Sequence, residues 1–212
     1  MLKLVVFDCD GVLFDSREAN RVYYNDLLAH FGCPLMDKEE MDYVHMHNVS
    51  DSIRHIFRKH GRIPMEAATD YAKTLDYTPY LRHMLMAPDL LDFLRIIAPR
   101  CHRAISTNRT TSMDMILDIF GLRPWFEIVM TAANAPRPKP APDALHVILE
   151  HFQLRPDEAI FIGDSSVDQA HAAAAGVDLI AFRNPELEAH WHVSRFMDIL
   201  NLPPFAALEL RP

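Results

Sequence analysis

The chain has 212 residues, of which 50% are hydrophobic, and it carries a formal charge of −8 at neutral pH. That length suits one large core, or a core domain with a smaller insertion, better than two equal domains. Its apolar runs are too short to span a bilayer, and its acidic balance disfavours nucleic acid, whose binding needs a basic surface. We therefore expect neither a membrane nor a nucleic acid as a partner.

The first residues and the cysteines predict a cytoplasmic protein. Acidic residues follow the short apolar run of residues 2–7 at once, so the secretory signal pattern is missing. Cys9, Cys33 and Cys101 lie far apart without a CxxC pair, which argues against a disulfide framework and a thiolate zinc site. The sequence does not decide the oligomeric state.

Taken in chain order, the pattern begins with a strand, continues with a helical stretch and then alternates. Residues 2–7 form an apolar strand, and residues 17–86 have helical spacing with breaks that predict about four helices. The later predicted elements are helix 89–97, strand 103–106, helix 111–120, strand 126–131, helix 142–152, strand 159–162, helix 167–175, strand 177–182 and a final helix near 185–200. Such alternation predicts a parallel sheet covered by helices on both faces.

The order of these elements indicates an insertion, because the first strand precedes the helical stretch and the other strands follow it. We predict an α/β fold with a Rossmann-like, doubly wound parallel sheet. Its core comprises residues 1–15 and 87–212, and residues 16–86 form an all-helical cap domain. In open sheets of this kind the ligand binds beyond the carboxyl ends of the strands.

Acidic residues stand at two of those strand ends. Asp8 and Asp10 follow the first strand, and Gly11 allows the chain to turn sharply there. Asp164 follows a glycine after another strand. Two carboxylates in one crevice repel each other unless a cation stands between them, and Mg²⁺ prefers oxygen ligands and a substrate phosphate. The pattern therefore predicts a magnesium site.

The strand ends and the acidic cluster together resemble the haloacid dehalogenase superfamily, in its branch that is like phosphoglycolate phosphatase and β-phosphoglucomutase and has a helical C1-type cap. Four motifs match that superfamily in order: residues 7–16 (FDCDGVLFDS), 104–108 (AISTN), 139–143 (KPAPD) and 163–168 (GDSSVD). The likeness covers the whole predicted core. It implies a phosphatase that hydrolyses small phosphorylated metabolites in the presence of Mg²⁺.

The resemblance also implies a role for each motif residue. Asp8 is expected to attack phosphorus and form an aspartyl phosphate, and Asp10 to act as general acid and then general base. The side chains of Asp8 and Asp164 and the main-chain carbonyl of Asp10 are expected to hold Mg²⁺. Thr107, the backbone of Asn108 and Lys139 are expected to bind the substrate phosphate.

Asp168 has two interpretations. It can orient Lys139 or a metal-bound water, or it can be an acid that the dipole favours at a helix N-terminus.

The cap is expected to close over the strand ends, with hinges near residues 15–16 and 86–88. His47, Asn48 and Arg54 are candidates for reading the leaving group, although Arg54 can equally form a surface ion pair. Relatives often carry a glycine in this turn, and residues 44–49 contain none. A transition-metal site built from the cap histidines is a weaker hypothesis.

Several alternative functions stay open at this point. The same core residues could transfer phosphate within a sugar phosphate, as a β-phosphoglucomutase does. Hydrolysis of a phosphonate needs a cap lysine that no position supplies convincingly, and dehalogenation needs neither Asp10 nor a metal. A binding protein that has lost catalysis would lack at least one of the four motif groups, and none is missing.

Overall fold

The structure is a computed structural model that describes residues 1–110 and 112–208. Its strands are β1 Leu4–Phe7, β2 Phe14–Asp15, β3 Leu85–Met86, β4 His102–Ser106, β5 Ile128–Met130, β6 Ala159–Gly163, β7 Asp178–Phe182 and β8 Trp191–Val193. Its α-helices are α1 Arg17–His30, α2 Lys38–Met46, α3 Val49–Phe57, α4 Met65–Thr74, α5 Leu90–Ile97, α6 Ser112–Ile119, α7 Asp143–Phe152, α8 Ser166–Ala175, α9 Phe196–Ile199 and α10 Pro203–Ala206. Short 3₁₀ turns cover Thr78–His83, Arg123–Trp125 and Pro156–Glu158.

Six strands form one parallel sheet in the order β5-β4-β1-β6-β7-β8. The central strand β1 is buried on both faces, and its residues alternate between two hydrophobic cores. Val5 and Phe7 pack into the core that contains residues of α5, α6 and α9, whereas Leu4 and Val6 pack into the core that contains residues of α7 and α8. This burial explains the continuous apolar run and confirms the predicted doubly wound fold.

The strand order fixes where the candidate site lies. Because β4, β1 and β6 are parallel neighbours, the residues after their carboxyl ends meet at one edge of the sheet. Thr107, Asp8 and Asp164 are the residues that follow these three strands. Lys139 lies in the longer connection between β5 and α7.

The helices α1–α4 and the turn Thr78–His83 form what we call the helical insertion, residues 17–83. It has a hydrophobic core of its own, to which Tyr23, Leu27, Ile53 and Ile56 contribute. The expected four α-helices are present among the described residues of this segment. The role of residues 16–86 as a cap that closes stays a prediction.

Two short strands that the sequence did not predict connect the insertion to the core. β2 and β3 pair antiparallel, with Phe14 opposite Met86 and Asp15 opposite Leu85. Two residues are too few to produce an alternating pattern, so only the tertiary pairing reveals them.

The predicted final helix at 185–200 is wrong. The chain instead forms the edge strand β8, which pairs parallel with β7, followed by the short helices α9 and α10. Trp191 and Val193 point towards the core while His192 is exposed, an alternation of period two that three residues express weakly. The predicted helix at 111–120 is observed as α6, although its first predicted residue, Thr111, lies outside the described residues.

None of the helices described in the structure combines the length and the apolar character needed to cross a bilayer. Cys9, Cys33 and Cys101 are free thiols, as their spacing predicts. The cytoplasmic location stays a prediction.

Candidate active site

A tight turn positions Asp8 at the end of β1. The Asp8 N–H donates a 2.9 Å hydrogen bond to the carbonyl of Ile162 in the neighbouring strand. Gly11 then takes a φ of +79°, and a Cβ atom there would lie 1.9 Å from an Asp164 carboxylate oxygen. Position 11 therefore needs glycine twice over, for its left-handed backbone and for the close approach of the two acidic loops.

Lys139 lies between two buried carboxylates. Its Nζ is 2.7 Å from Asp8 Oδ1 and 2.6 Å from Asp168 Oδ1. The Asn108 side chain fixes the lysine backbone, because its Oδ1 accepts from Lys139 N at 2.9 Å and its Nδ2 donates to Lys139 O at 3.1 Å. The sequence assigned phosphate binding to the Asn108 backbone and did not predict this bracing role of the side chain.

Asp168 combines both interpretations that the sequence left open. It stands at the third position of α8 and forms a reciprocal capping pair with Ser165, which favours the start of the helix. Its Oδ2 also accepts from the backbone N–H of Asp164 at 3.2 Å, while Oδ1 accepts from Lys139. A Cβ atom on Gly163 would lie only 2.5 Å from the Asp168 Cβ, so a glycine at this position leaves room for the Asp168 side chain.

Carboxylate oxygens of Asp8, Asp164 and Asp168 all lie within 4.8 Å of one another. Burial and the negative charge of Asp168 raise the pKa of Asp8 to about 7, despite the opposing effect of Lys139. Burial, Asp168 and Asp8 likewise raise the pKa of Asp164 well above its ordinary value. Such crowded oxygen donors fit a hard divalent cation such as Mg²⁺.

Within this cluster, Asp168 has the least capacity left for a metal. Its oxygens accept from Lys139 Nζ, the backbone of Asp164, and the backbone and hydroxyl of Ser165. Asp8 and Asp164 accept fewer hydrogen bonds from the described residues. These two side chains are therefore the better candidates for holding the ion, as the sequence predicts.

Asp10 is paired with a residue that the sequence analysis missed, Arg109. Asp10 Oδ1 accepts a 2.6 Å hydrogen bond from Arg109 Nη2 and another from the Ser16 hydroxyl. Burial alone would raise the pKa of Asp10, but Arg109 and His45 outweigh it, so this pKa lies below its ordinary value. The only sequence signal for Arg109 was a basic residue directly after the Thr107-Asn108 pair at a strand end.

Arg109 also joins the core to the helical insertion. Its Nη1 donates to the Tyr77 hydroxyl at 3.2 Å, and its guanidinium lies 5.5 Å from the centre of the Tyr77 ring. Its backbone N–H donates to Thr107 Oγ1 at 3.2 Å. Thr107 is buried and lines the same cavity as Asp8, and its role in phosphate binding stays a prediction.

Three residues of the insertion, His47, Asn48 and Arg54, were predicted to contact the leaving group, and the structure gives them different surroundings. His47 lines the cavity above Asp8 and stacks on the ring of Tyr43 at 3.8 Å. Asn48 instead caps α3, and Arg54 forms an exposed pair with Asp51, the alternative that the sequence offered.

The histidines of the insertion do not form a metal cluster. Within residues 1–110 and 112–208, the group of side chains close enough to bind a metal consists of aspartates alone. His45 reaches over from α2 to within 4.0 Å of Asp164 Oδ2, and burial lowers its pKa.

His171 connects two segments that carry residues of the site. Its Nδ1 lies 2.6 Å from the Ala141 carbonyl and must donate there, so its Nε2 accepts from the Ser106 hydroxyl at 3.0 Å. Burial and the nearby Lys139 lower the pKa of His171 to about 4, which keeps the ring neutral. This neutral ring links the end of β4 to the loop that carries Lys139.

The sequence profile of a family described as haloacid dehalogenase-like hydrolase matches residues 5–182. The chain belongs to this family. A crystal structure of a HAD-superfamily hydrolase of subfamily IA, variant 1, from Geobacter sulfurreducens PCA is 36% identical and has a TM-score of 0.82. That match covers 95% of this chain and 99% of the other. The family and the expectation of a hydrolase are thereby confirmed.

Curated relatives within the family are named for different esters. Phosphoglycolate phosphatase of Rhodobacter capsulatus is 26% identical over 96% of this chain and 96% of its own length. Fructose-1-phosphate phosphatase of Escherichia coli K12 is 24% identical over 84% of this chain and 95% of its own length. Relatedness to haloacid dehalogenase-like hydrolases alone therefore does not select a substrate.

The Asp10–Arg109 pair is expected to be strongly coupled in unfolding experiments. Arg109→Met leaves a buried carboxylate without its cation and should lower the free energy of unfolding by about 3 kcal/mol at pH 7. In the Asp10→Asn, Arg109→Met double variant the loss should be clearly smaller than the sum of the single losses. Urea denaturation gives the free energy of unfolding of the parent, the two single variants and the double variant. A loss in the double variant equal to the sum of the two single losses would contradict the coupling. The exposed pair Asp92–Arg95 is the control, with a coupling below about 1 kcal/mol.

His171 is expected to make the protein less stable as the pH falls below neutrality. Because its pKa is about 4 in the folded protein and about 6.5 when unfolded, its contribution is complete above the higher value and falls as the pH drops between them. At pH 5 the loss should be about 2 kcal/mol relative to pH 7. The variant His171→Gln, compared by urea denaturation at both pH values, should lose less on acidification than the parent protein. An identical loss in both would refute the assignment.

Proposed function

We propose that this chain is a magnesium-dependent phosphatase that hydrolyses phosphomonoesters of small metabolites through a phosphorylated Asp8. The observation that carries this proposal is the juxtaposition of Asp8 with the Lys139 ammonium and the Asp164 carboxylate at one edge of the sheet. In this proposal Asp8 is the nucleophile, Lys139 is a fixed cation beside it, and Asp8 and Asp164 would hold a second cation. Family membership supports the same chemistry.

The Asp8 carboxylate would act as the nucleophile, and in its ionised form it needs no base to activate it. A carboxylate oxygen of Asp8 forms a bond to phosphorus while the bond from phosphorus to the ester oxygen breaks. Lys139, held by Asp168, keeps Asp8 oriented and places a positive charge beside the phosphate. Thr107 and the backbone N–H of Asn108 are the proposed donors to the phosphate oxygens.

Mg²⁺ would be held by Asp8, Asp164 and the main-chain carbonyl of Asp10, and it would supply positive charge that neutralises the phosphate. Its charge would also offset the repulsion that raises the pKa values of Asp8 and Asp164. The carboxylates would then both be ionised at neutral pH.

Asp10 would move the protons of the reaction. For the first half Asp10 has to be protonated, so the exclusion of water when the substrate is enclosed would have to raise its pKa against the effect of Arg109. Protonated Asp10 then gives its proton to the departing alkoxide, which leaves as an alcohol. In the second half a water attacks phosphorus, Asp10 takes a proton from that water, and the bond between phosphorus and Asp8 breaks. The Arg109 and Ser16 contacts hold the Asp10 carboxylate in place for both transfers.

The nucleophile assignment predicts that Asp8→Asn abolishes phosphate release, because an amide is a far weaker nucleophile than a carboxylate. We expect a loss of about 10⁴-fold or more in kcat. The assay measures inorganic phosphate from a panel of phosphomonoesters with MgCl₂ or with EDTA, and EDTA should abolish release by the parent protein. Asp157→Asn, at an exposed ion pair, is the matched control and should retain activity. Full activity in Asp8→Asn would refute the mechanism; interconversion of sugar phosphates with little release would favour a mutase.

The Asp10 assignment predicts a stalled intermediate. With 4-nitrophenyl phosphate, whose leaving group needs no proton, Asp10→Asn should still phosphorylate Asp8 but should hydrolyse the product slowly. Rapid-mixing kinetics should therefore show a burst of about one nitrophenolate per protein, followed by a slow phase. Steady turnover at the parental rate without a burst would show that Asp10 is not the general base.

A further inference from the structure

The candidate site opens into a cavity of about 500 Å³ that extends from the carboxylates deep into the helical insertion. Pockets that enclose drug-sized ligands measure about 300–1,000 Å³. Since a water in the liquid occupies about 30 Å³, this cavity has room for roughly fifteen waters. A phosphate with a two-carbon leaving group would fill a small part of it.

Much of the cavity wall consists of apolar and aromatic side chains from the four helices α1–α4 of the insertion and the segment that follows α4. These side chains include Tyr23, Tyr24, Val44, Ile53, Ala72 and Leu75. All of these except Leu75, which is partly buried, are themselves buried in the insertion. A charged group placed against this wall would lose its hydration without gaining an ionic partner, which is costly.

The cations at the cavity wall are already paired with acids of the chain. Lys139 binds Asp8 and Asp168, and Arg109 binds Asp10. Lys73 lies towards solvent with its ammonium 2.9 Å from Asp70.

The cavity wall also carries an exposed acid on the segment after α4. Asp76 lies beside Leu75, and hydrogen bonds from Thr78 lower its pKa and keep it negative. A leaving group with a carboxylate or a second phosphate would therefore meet repulsion and no free cation among the described residues.

From the size, lining and charge of the cavity we infer that the natural leaving group is an uncharged alcohol that carries a ring. The substrates are then phosphomonoesters of ring-containing neutral alcohols, with the phosphate at Asp8 and the ring against the apolar part of the cavity wall, to which Tyr23 and Ala72 contribute. This inference rests on the proposed phosphatase function and deepens it. It sets this chain apart from a relative such as the phosphoglycolate phosphatase of Rhodobacter capsulatus, whose name states an acidic ester.

The wall also offers polar side chains that can hydrogen-bond to a ligand. Asn20 and His47 both line the cavity, and the His47 ring has one nitrogen engaged with the Tyr43 carbonyl at 2.9 Å. Hydroxyl groups close to the ester oxygen can hydrogen-bond there. The cavity therefore combines a polar end near the phosphate with an apolar end for the ring, as pockets for small ligands generally do.

The first test compares esters whose alkoxides need similar protonation and that differ in the rest of the alcohol: ethyl phosphate, 2-phenylethyl phosphate, phosphoglycolate and uridine 5′-monophosphate. With Mg²⁺, kcat/KM for 2-phenylethyl phosphate should exceed that for ethyl phosphate and phosphoglycolate by about tenfold or more, mainly through KM, because the ring is buried on binding. The uridine ester tells whether a nucleoside ring or a purely apolar ring is preferred. Equal rates for all esters, or a preference for phosphoglycolate, would overturn the inference.

A binding measurement separates this inference from the proposed function. Calorimetry with Asp8→Asn and MgCl₂ should show 2-phenylethyl phosphate binding about tenfold more tightly than ethyl phosphate, whether or not the parent protein turns over any ester. Failure of every ester to be hydrolysed would refute the phosphatase proposal alone. Equal affinity for both esters would refute the ring site alone.

Two substitutions on α4 locate the ring. Ala72→Phe fills the apolar end and should bring the ratio of kcat/KM values for 2-phenylethyl and ethyl phosphate close to one. Ala67→Phe, on the exposed side of the same helix and away from the cavity, should leave the ratio unchanged. Thermal unfolding checks that both variants fold, and Thr69→Phe, also at the cavity wall, replaces Ala72→Phe if that variant does not. An unchanged ratio in a folded cavity variant would overturn the placement.

Discussion

The contact on which the site depends is the buried ammonium of Lys139 between the carboxylates of Asp8 and Asp168. A lysine without partners would be strongly destabilised at such depth, and so would either carboxylate. Together they form a compact group in which burial works against ionisation and the opposite charges restore it. The two acids raise the pKa of Lys139 above its ordinary value, so the ammonium stays charged. The fold therefore keeps a cation beside Asp8 even before any metal binds.

The rest of the core positions this group. Asn108 holds the lysine backbone, α8 is capped by Ser165 and presents Asp168, and His171 connects the lysine loop to β4. These supports come from two segments of the chain, the loop after β4 and the helix α8. The parallel order β4-β1-β6 brings the carboxyl ends of these three strands to the same edge of the sheet. The site is thus a consequence of strand order more than of any single loop.

The sequence predicted the features that depend on local pattern. The apolar run before Asp8, the helix and strand alternation after residue 88 and the four motifs led to the doubly wound fold and placed Asp8, Lys139 and Asp164 near one another. Periodicity failed where elements are short, as in β2, β3 and β8, because two or three residues carry too little signal. Periodicity also gave no reason to expect the edge strand β8 in the segment near residues 185–200, where it predicted a final helix.

The side-chain pairs across the site were beyond prediction for a different reason. Arg109 and Asp10 are 99 positions apart, and Asn108 braces a residue 31 positions away. No spacing rule relates such positions, because their contact depends on how loops turn after the strands end. The apolar cavity is a further example: its wall comes from helices whose buried tyrosines have the same pattern as any packed core.

The short ladder between β2 and β3 has a mechanical consequence. Both crossings between the sheet and the helical insertion run side by side through it, and Phe14 in β2 is bridged to Asp10 in the turn that follows Asp8. A reorientation of the insertion would have to rotate the two crossings as one unit, with a single axis close to this ladder. The same rotation would pull on the backbone next to Asp10, so the position of this proposed proton donor and the shape of the cavity would change together.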